Sequence, residues 1–161
     1  MIEVEVFGAS LAPEAPRTQE IRRLCTRAAA SRGVSAGHVA IEFVEVARIA
    51  RLNAEYRGKA GPTDVLSFPI DGIEPISAAP AGVTGDVAAE AERDPGAQRR
   101  PAPAGRELLR ELGDVVICPE HTVDVREAIV HGMLHLLGMD HERDHGEMLA
   151  LQRELLAGAH P

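Results

Sequence analysis

The 161-residue chain is 45% hydrophobic and 26% charged, which is ordinary for a soluble globular protein and points to one domain able to bury a core without staples. A formal net charge of −8 argues against a general nucleic-acid coat while leaving room for a local basic cleft, and an aromatic content of 2% speaks against stacking several bases on aromatic platforms. Cys25 and Cys118 stand too far apart for a C-x-x-C pair, and no apolar run approaches the ~20 residues that span a bilayer; without a signal-like N-terminus, a cytoplasmic location is the expectation.

In chain order, Ile2, Val4 and Val6 alternate with Glu3 and Glu5, the period-two pattern of a half-exposed strand from Met1 to Phe7. A Pro-containing linker, Ala12–Pro16, leads to a helix over Thr18–Ser31, where Ile21, Leu24, Cys25 and Ala28 form an apolar face and Gly33 closes the element. Val39–Val46 reads as a second strand, and Arg48–Tyr56 as a short helix with Ile49, Leu52 and Tyr56 on its buried side. Arg57–Pro62 is a loop by its Gly and Pro content, and Thr63–Pro69 a strand near a sheet edge, since Pro69 lacks a donor.

Residues 71–105, rich in Ala and Pro and without useful apolar periodicity, are expected to be a mobile insertion inside a single domain spanning 1–161. Gly113–Pro119 is a short, strongly apolar strand. Thr122 or Asp124 can cap the next helix, with Val125, Ala128, Ile129 and Leu136 toward the core. A last helix over Arg143–Ala157 packs through Met148, Leu151, Leu155 and Leu156. The expected fold class is α+β, of α/β type, with helices flanking a mixed sheet of about four strands.

The stretch from His131 to His141 carries three of the seven histidines, spaced H-x3-H-x2-G-x2-H. On a helix, positions i and i+4 share one face with Cβ atoms ~5–6 Å apart, so His131 and His135 can reach one metal ion. Gly138 stands where a helix ends most easily, because glycine enters the left-handed region without steric cost, and a chain that reverses there can return His141 to the same ion. Three neutral imidazoles with a fourth position open is the construction of a catalytic zinc site, whereas a structural site takes four protein ligands. The spacing is similar to that of the metzincin proteases, H-E-x-x-H-x-x-G-x-x-H, but Gly132 stands where those enzymes carry their general-base Glu.

Other groups are open to two readings. Arg57 and Lys59, preceded by Arg48 and Arg51, suit either a solvated basic turn or a phosphate clamp, since guanidinium presents a planar fork to phosphate oxygens. Asp64 and Asp114 can orient a ligating histidine or serve as turn residues, and Asp140 suits a supporting or turn-capping role. Cys118 is most simply a buried thiol, and His145 is the one spare donor near the motif, expected to stay off the metal.

Asn53–Arg57, Pro62–Pro69, Leu112–Ile117 and the histidine motif together resemble the YbeY endoribonucleases, bacterial metal-dependent enzymes of ribosomal RNA maturation. The blocks run in family order from Asn53 to about Gln152, with an insertion after Pro69 longer than the family pattern and a shorter segment between Ile117 and His131. The resemblance implies one zinc ion per chain at His131, His135 and His141, and a catalytic role for Arg57. It further implies a single-strand-specific endoribonuclease acting at the 3′ end of small-subunit rRNA and in ribosome quality control. The implied partners are rRNA precursors, the small ribosomal subunit with one of its proteins, and a ribosome-assembly GTPase, with no membrane. Two other readings remain: a metal-dependent hydrolase of peptides or small molecules, and a non-catalytic ribosome-assembly factor with a structural metal.

Overall fold

Alternation of Ile2, Val4 and Val6 with charged residues makes the first strand, β1 (Ile2–Phe7), and the three- and four-residue recurrence of apolar side chains makes helix α1 (Thr18–Ser31). β2 (Gly37–Phe43), α2 (Val46–Arg57), β3 (Val65–Pro69), β4 (Glu111–Ile117), α3 (Val125–Leu136) and α4 (Glu147–Ala157) follow. This computed structural model describes residues 1–70 and 110–158. The 71–105 stretch expected to be a mobile insertion lies outside the described residues.

The four strands form one sheet in the order β1-β2-β4-β3. β1 pairs parallel with β2 and β2 with β4, with Val4 opposite Val39 and Ile41 opposite Val115. β3 closes one edge antiparallel to β4, with Val65 opposite Ile117. The fold is α+β, a mixed sheet flanked by helices.

Successive strand residues point to opposite faces, and β4 has apolar partners on both. Val115 and Ile117 join Ile21 and Leu24 of α1 and Ile129 and Met133 of α3 in the larger core. Val116 faces the other way and packs with Ile49 of α2, Val44, Leu66 and Cys118. Burial on both faces explains why Val115–Cys118 reads as a continuous apolar run. Cys118 is the buried thiol expected.

Several boundaries differ from the expected ones for identifiable reasons. β2 begins at Gly37, opposite Ile2, and ends at Phe43, because Val44 turns into the second core and Val46 starts α2. The last helix starts at Glu147, not Arg143. Asp140 and Asp144 hold the preceding backbone in turns, their carboxylates accepting from the N–H groups of Glu142 (2.9 Å) and of Gly146 and Met148 (both 2.8 Å). Those bonds to Gly146 and Met148 also keep the Asp144 carboxyl below its usual range. Of the two cap candidates for α3, Asp124 serves, accepting from Arg126 N–H at 2.9 Å, while the Thr122 hydroxyl donates to the Cys118 carbonyl. Among the described residues, no helix is long and apolar enough to cross a membrane.

Candidate metal centre

α3 delivers Glu127, His131 and His135 at four-residue intervals, which stacks them along one face. The helix then ends in a Schellman motif. Gly138, at φ +85°, donates its N–H to the His135 carbonyl (3.0 Å), and Met139 donates to the Leu134 carbonyl (3.0 Å). Met139 tucks against the core, which fixes the direction of reversal and brings His141 back over the helix end.

The three half-buried rings converge, with centroid separations of 4.8, 5.0 and 5.2 Å and one nitrogen of each lying within 4.8 Å of the others. His131 Nε2 and His135 Nε2 stand 3.2 Å apart. Two imidazole nitrogens on one tetrahedral zinc, each ~2.0–2.1 Å from it, would be separated by about 3.3 Å. The donor set therefore fits a single ion, and His145, which is exposed, stands outside the cluster.

The tautomer of His131 follows from its neighbours. Gln152 of α4 is buried (4% exposed) between His131 and Glu127. The Glu127 carboxylate can only accept, so the Gln152 amide nitrogen faces it at 3.1 Å and the amide oxygen faces His131 Nδ1 at 2.9 Å. His131 therefore donates from Nδ1 and keeps the Nε2 lone pair for a metal. Burial, and then the neighbouring His131 and His141, push the His135 pKa down, partly opposed by a hydrogen bond to the Met139 backbone. A neutral His135 is what ligation requires.

Gly132 lies between the two helical histidines on the side that meets the sheet. A Cβ there would stand 2.4 Å from Val115 Cγ1 and 3.3 Å from Ser67 Oγ, and the Ser67 hydroxyl donates to the Gly132 carbonyl at 3.1 Å. α3 rests so closely on β4 and β3 that a Glu at this position has no room.

A cleft of about 540 Å³ opens beside the histidines, with the edge strand β3 as one wall. Arg57, the last residue of α2, lines it together with His131 and His135, exposed and without an ion pair among the described residues. The loop after Arg57 is pinned by Asn53, which is 5% exposed and donates its side-chain N–H to the Gly61 carbonyl at 2.9 Å. Arg48 is drawn away to Glu42 at 3.3 Å.

The two other predicted orienting acids do not reach the histidines. Asp64 Oδ1 accepts from the Val65 N–H (2.8 Å) and the Thr63 hydroxyl (3.1 Å), a turn role. Asp114 alternates with Val115 and so faces away from α3. Asp140 caps its own turn. Gln152 was legible only as a polar residue in the apolar stripe of Met148 and Leu155, a signal that locates a buried amide without naming its partner. A larger groove of about 930 Å³, lined by Arg22, Arg23, Arg27 and Arg126, lies against α1, and its acids Glu20 and Asp124 are engaged by Arg126 and by the α3 cap.

A family model described as Endoribonuclease YbeY matches residues 11–160. The Bacillus licheniformis protein of that name is 38% identical over 148 residues, covering 87% of this chain and 84% of the relative. Its namesake in Geobacillus thermodenitrificans is 34% identical over 163 residues, 96% of this chain and 94% of the relative. A solution structure of TM1509 from Thermotoga maritima aligns over 99% of this chain and 89% of its own with a TM-score of 0.47 at 20% identity.

Proposed function

Because the chain belongs to the YbeY endoribonuclease family, we propose that it cleaves phosphodiester bonds of single-stranded RNA, with His131, His135 and His141 holding one zinc ion and Arg57 engaging the scissile phosphate. The observation that carries this reading is that His131 and His135 of the histidine cluster share one cleft with the Arg57 guanidinium, which has no ion pair among the described residues. A zinc ion held there supplies Lewis acidity, lowering the pKa of water toward ~7 and polarising a phosphoryl oxygen.

The chain's own residues do the rest. Gln152 and Glu127 hold His131 in the ligating tautomer. Asn53 fixes the loop that follows Arg57, and the guanidinium offers two parallel donors to oxygens that gain charge as the phosphate reacts. The family's work in rRNA maturation at the small-subunit 3′ end belongs to the same proposal. So do its partners, namely precursor rRNA, the small subunit with one of its proteins and an assembly GTPase, and a cytoplasmic site of action.

The peptidase reading loses support at Gly132, where the sheet leaves no space for a base. An assembly factor with a structural metal would call for a fourth protein donor, and His145, the spare histidine beyond the motif, is exposed and outside the cluster. Cleavage of a short single-stranded RNA should therefore require zinc and stop with chelator or with His135→Ala. Arg57→Ala should lower the cleavage rate by ~10²–10³ while leaving zinc bound, since a donor that stabilises developing charge is typically worth that much. Arg57→Lys keeps the charge without the fork and should fall in between. Unmutated, zinc-loaded protein that leaves RNA intact while still associating with ribosomal subunits would replace the enzyme with the assembly factor.

A further inference from the structure

Ile49, Leu52 and Tyr56 share the spacing of one helix face, and the first two lie in or against the second core, yet Tyr56 is 62% exposed. The reason is the sheet's edge. The last turn of α2 overhangs β3, and among the described residues no strand lies beyond β3 to cover it. Among the described residues Tyr56 keeps one aromatic neighbour, Phe68 of β3, at a centroid distance of 5.1 Å and an interplanar angle of 71°. An edge-to-face contact engages at most one face of a ring, so Tyr56 is braced and still has a free face. It lines the same cleft as the histidines and stands next to Arg57 in the chain.

We propose that Tyr56 forms a nucleobase-stacking subsite, receiving the base of the nucleotide whose phosphate meets Arg57; this rests on the RNA-cleaving reading of the cleft. Tyr56 and Arg57 are consecutive in the chain and both line this cleft, so the ring can take the base of the nucleotide whose phosphate the guanidinium meets. A paired base has both faces covered within its helix, whereas an unpaired base can be turned out onto an aromatic ring. The subsite thus selects single strands and tolerates any base, since every base has a π-face. One ring agrees with a chain of three Phe, one Tyr and no Trp: it can seat one base, not a row.

The same composition supplies the test, because Tyr56 is the only Tyr and there is no Trp, so near-ultraviolet protein emission reports chiefly this ring. The probes are a fluorescently labelled six-nucleotide 2′-O-methyl oligoadenylate, checked intact afterwards by gel, and its abasic counterpart. At saturation by anisotropy of the label, an unlabelled copy of the adenine oligomer should quench tyrosine emission and the abasic one should not. Removing an aromatic stacking platform weakens binding by about 5- to 100-fold, so Tyr56→Leu should raise Kd and KM by that factor with little change in kcat, and Tyr56→Phe should stay within about twofold. Unchanged emission at saturation, or Tyr56→Leu that folds by circular dichroism and binds like the unmutated protein, overturns the subsite. If the unmutated protein cleaves RNA in that case, the subsite alone is wrong. If it neither binds nor cleaves any RNA, the RNA-cleaving reading fails and the subsite with it.

Discussion

Gln152→Leu should weaken zinc binding by ~10- to 100-fold, the usual cost of losing a residue that orients a ligating histidine. The geometry sets this expectation. Gln152 is 4% exposed and accepts from His131 Nδ1 at 2.9 Å while donating to Glu127 at 3.1 Å. Leucine is close in size but offers neither group, so His131 loses the partner that keeps its proton on Nδ1, and the Glu127 carboxylate loses its donor. Tenfold to a hundredfold corresponds to about 1.4–2.7 kcal/mol, comparable with the ~1–3 kcal/mol for leaving a buried polar group unpartnered. The assay is competition for zinc against a chromophoric chelator, read alongside the melting of metal-free protein so that folding and ligation separate. Combining Glu127→Gln with Gln152→Glu moves the carboxylate against His131 and the amide onto α3, preserving both hydrogen bonds, and affinity should return to within a few fold of the original. Gln152→Leu protein that folds and holds zinc as tightly as the unmutated chain would refute the orienting role.

Gly132→Ala places a Cβ 2.4 Å from Val115 Cγ1, and overpacking of this kind costs ~1–3 kcal/mol, more than the ~1 kcal/mol that alanine gains in helix propensity. Urea unfolding of metal-free protein should show a lowered midpoint, and an unchanged or raised one would contradict the close approach of α3 to the sheet. His38 bridges β2 to its neighbours, 2.8 Å from Glu111 and 3.4 Å from Glu5. Burial works to lower its pKa, but the hydrogen bond and charge of Glu111, with help from Glu5, leave it raised. A raised folded-state pKa means the stabilisation is fully present below the unfolded value, about 6.5, and disappears as pH rises through the folded one. The stability advantage of the unmutated protein over His38→Gln should therefore be larger at pH 5.5 than at pH 9, and a gap that widened toward alkaline pH would show the sign to be wrong.

Local chemistry determined much of this protein in sequence order. The i, i+4 spacing of His131 and His135, the left-handed preference of Gly138 and the distance to His141 are properties of one continuous segment, and the observed Schellman turn realises them. Period-two and three-to-four patterns located the strands and helices for the same reason, since each is decided over a few neighbouring residues. Tertiary structure decided what distant segments do to one another. Asp114 differs from Val115 by one position, and only the packing of α3 on one face of β4 turns it away from the histidines. Gln152 joins His131 only because α4 folds back across α3, 21 residues along the chain. Tyr56 obeys the helical repeat and still meets solvent, because whether a face is covered depends on where the sheet ends, and strand order is not written in the periodicity of any single element.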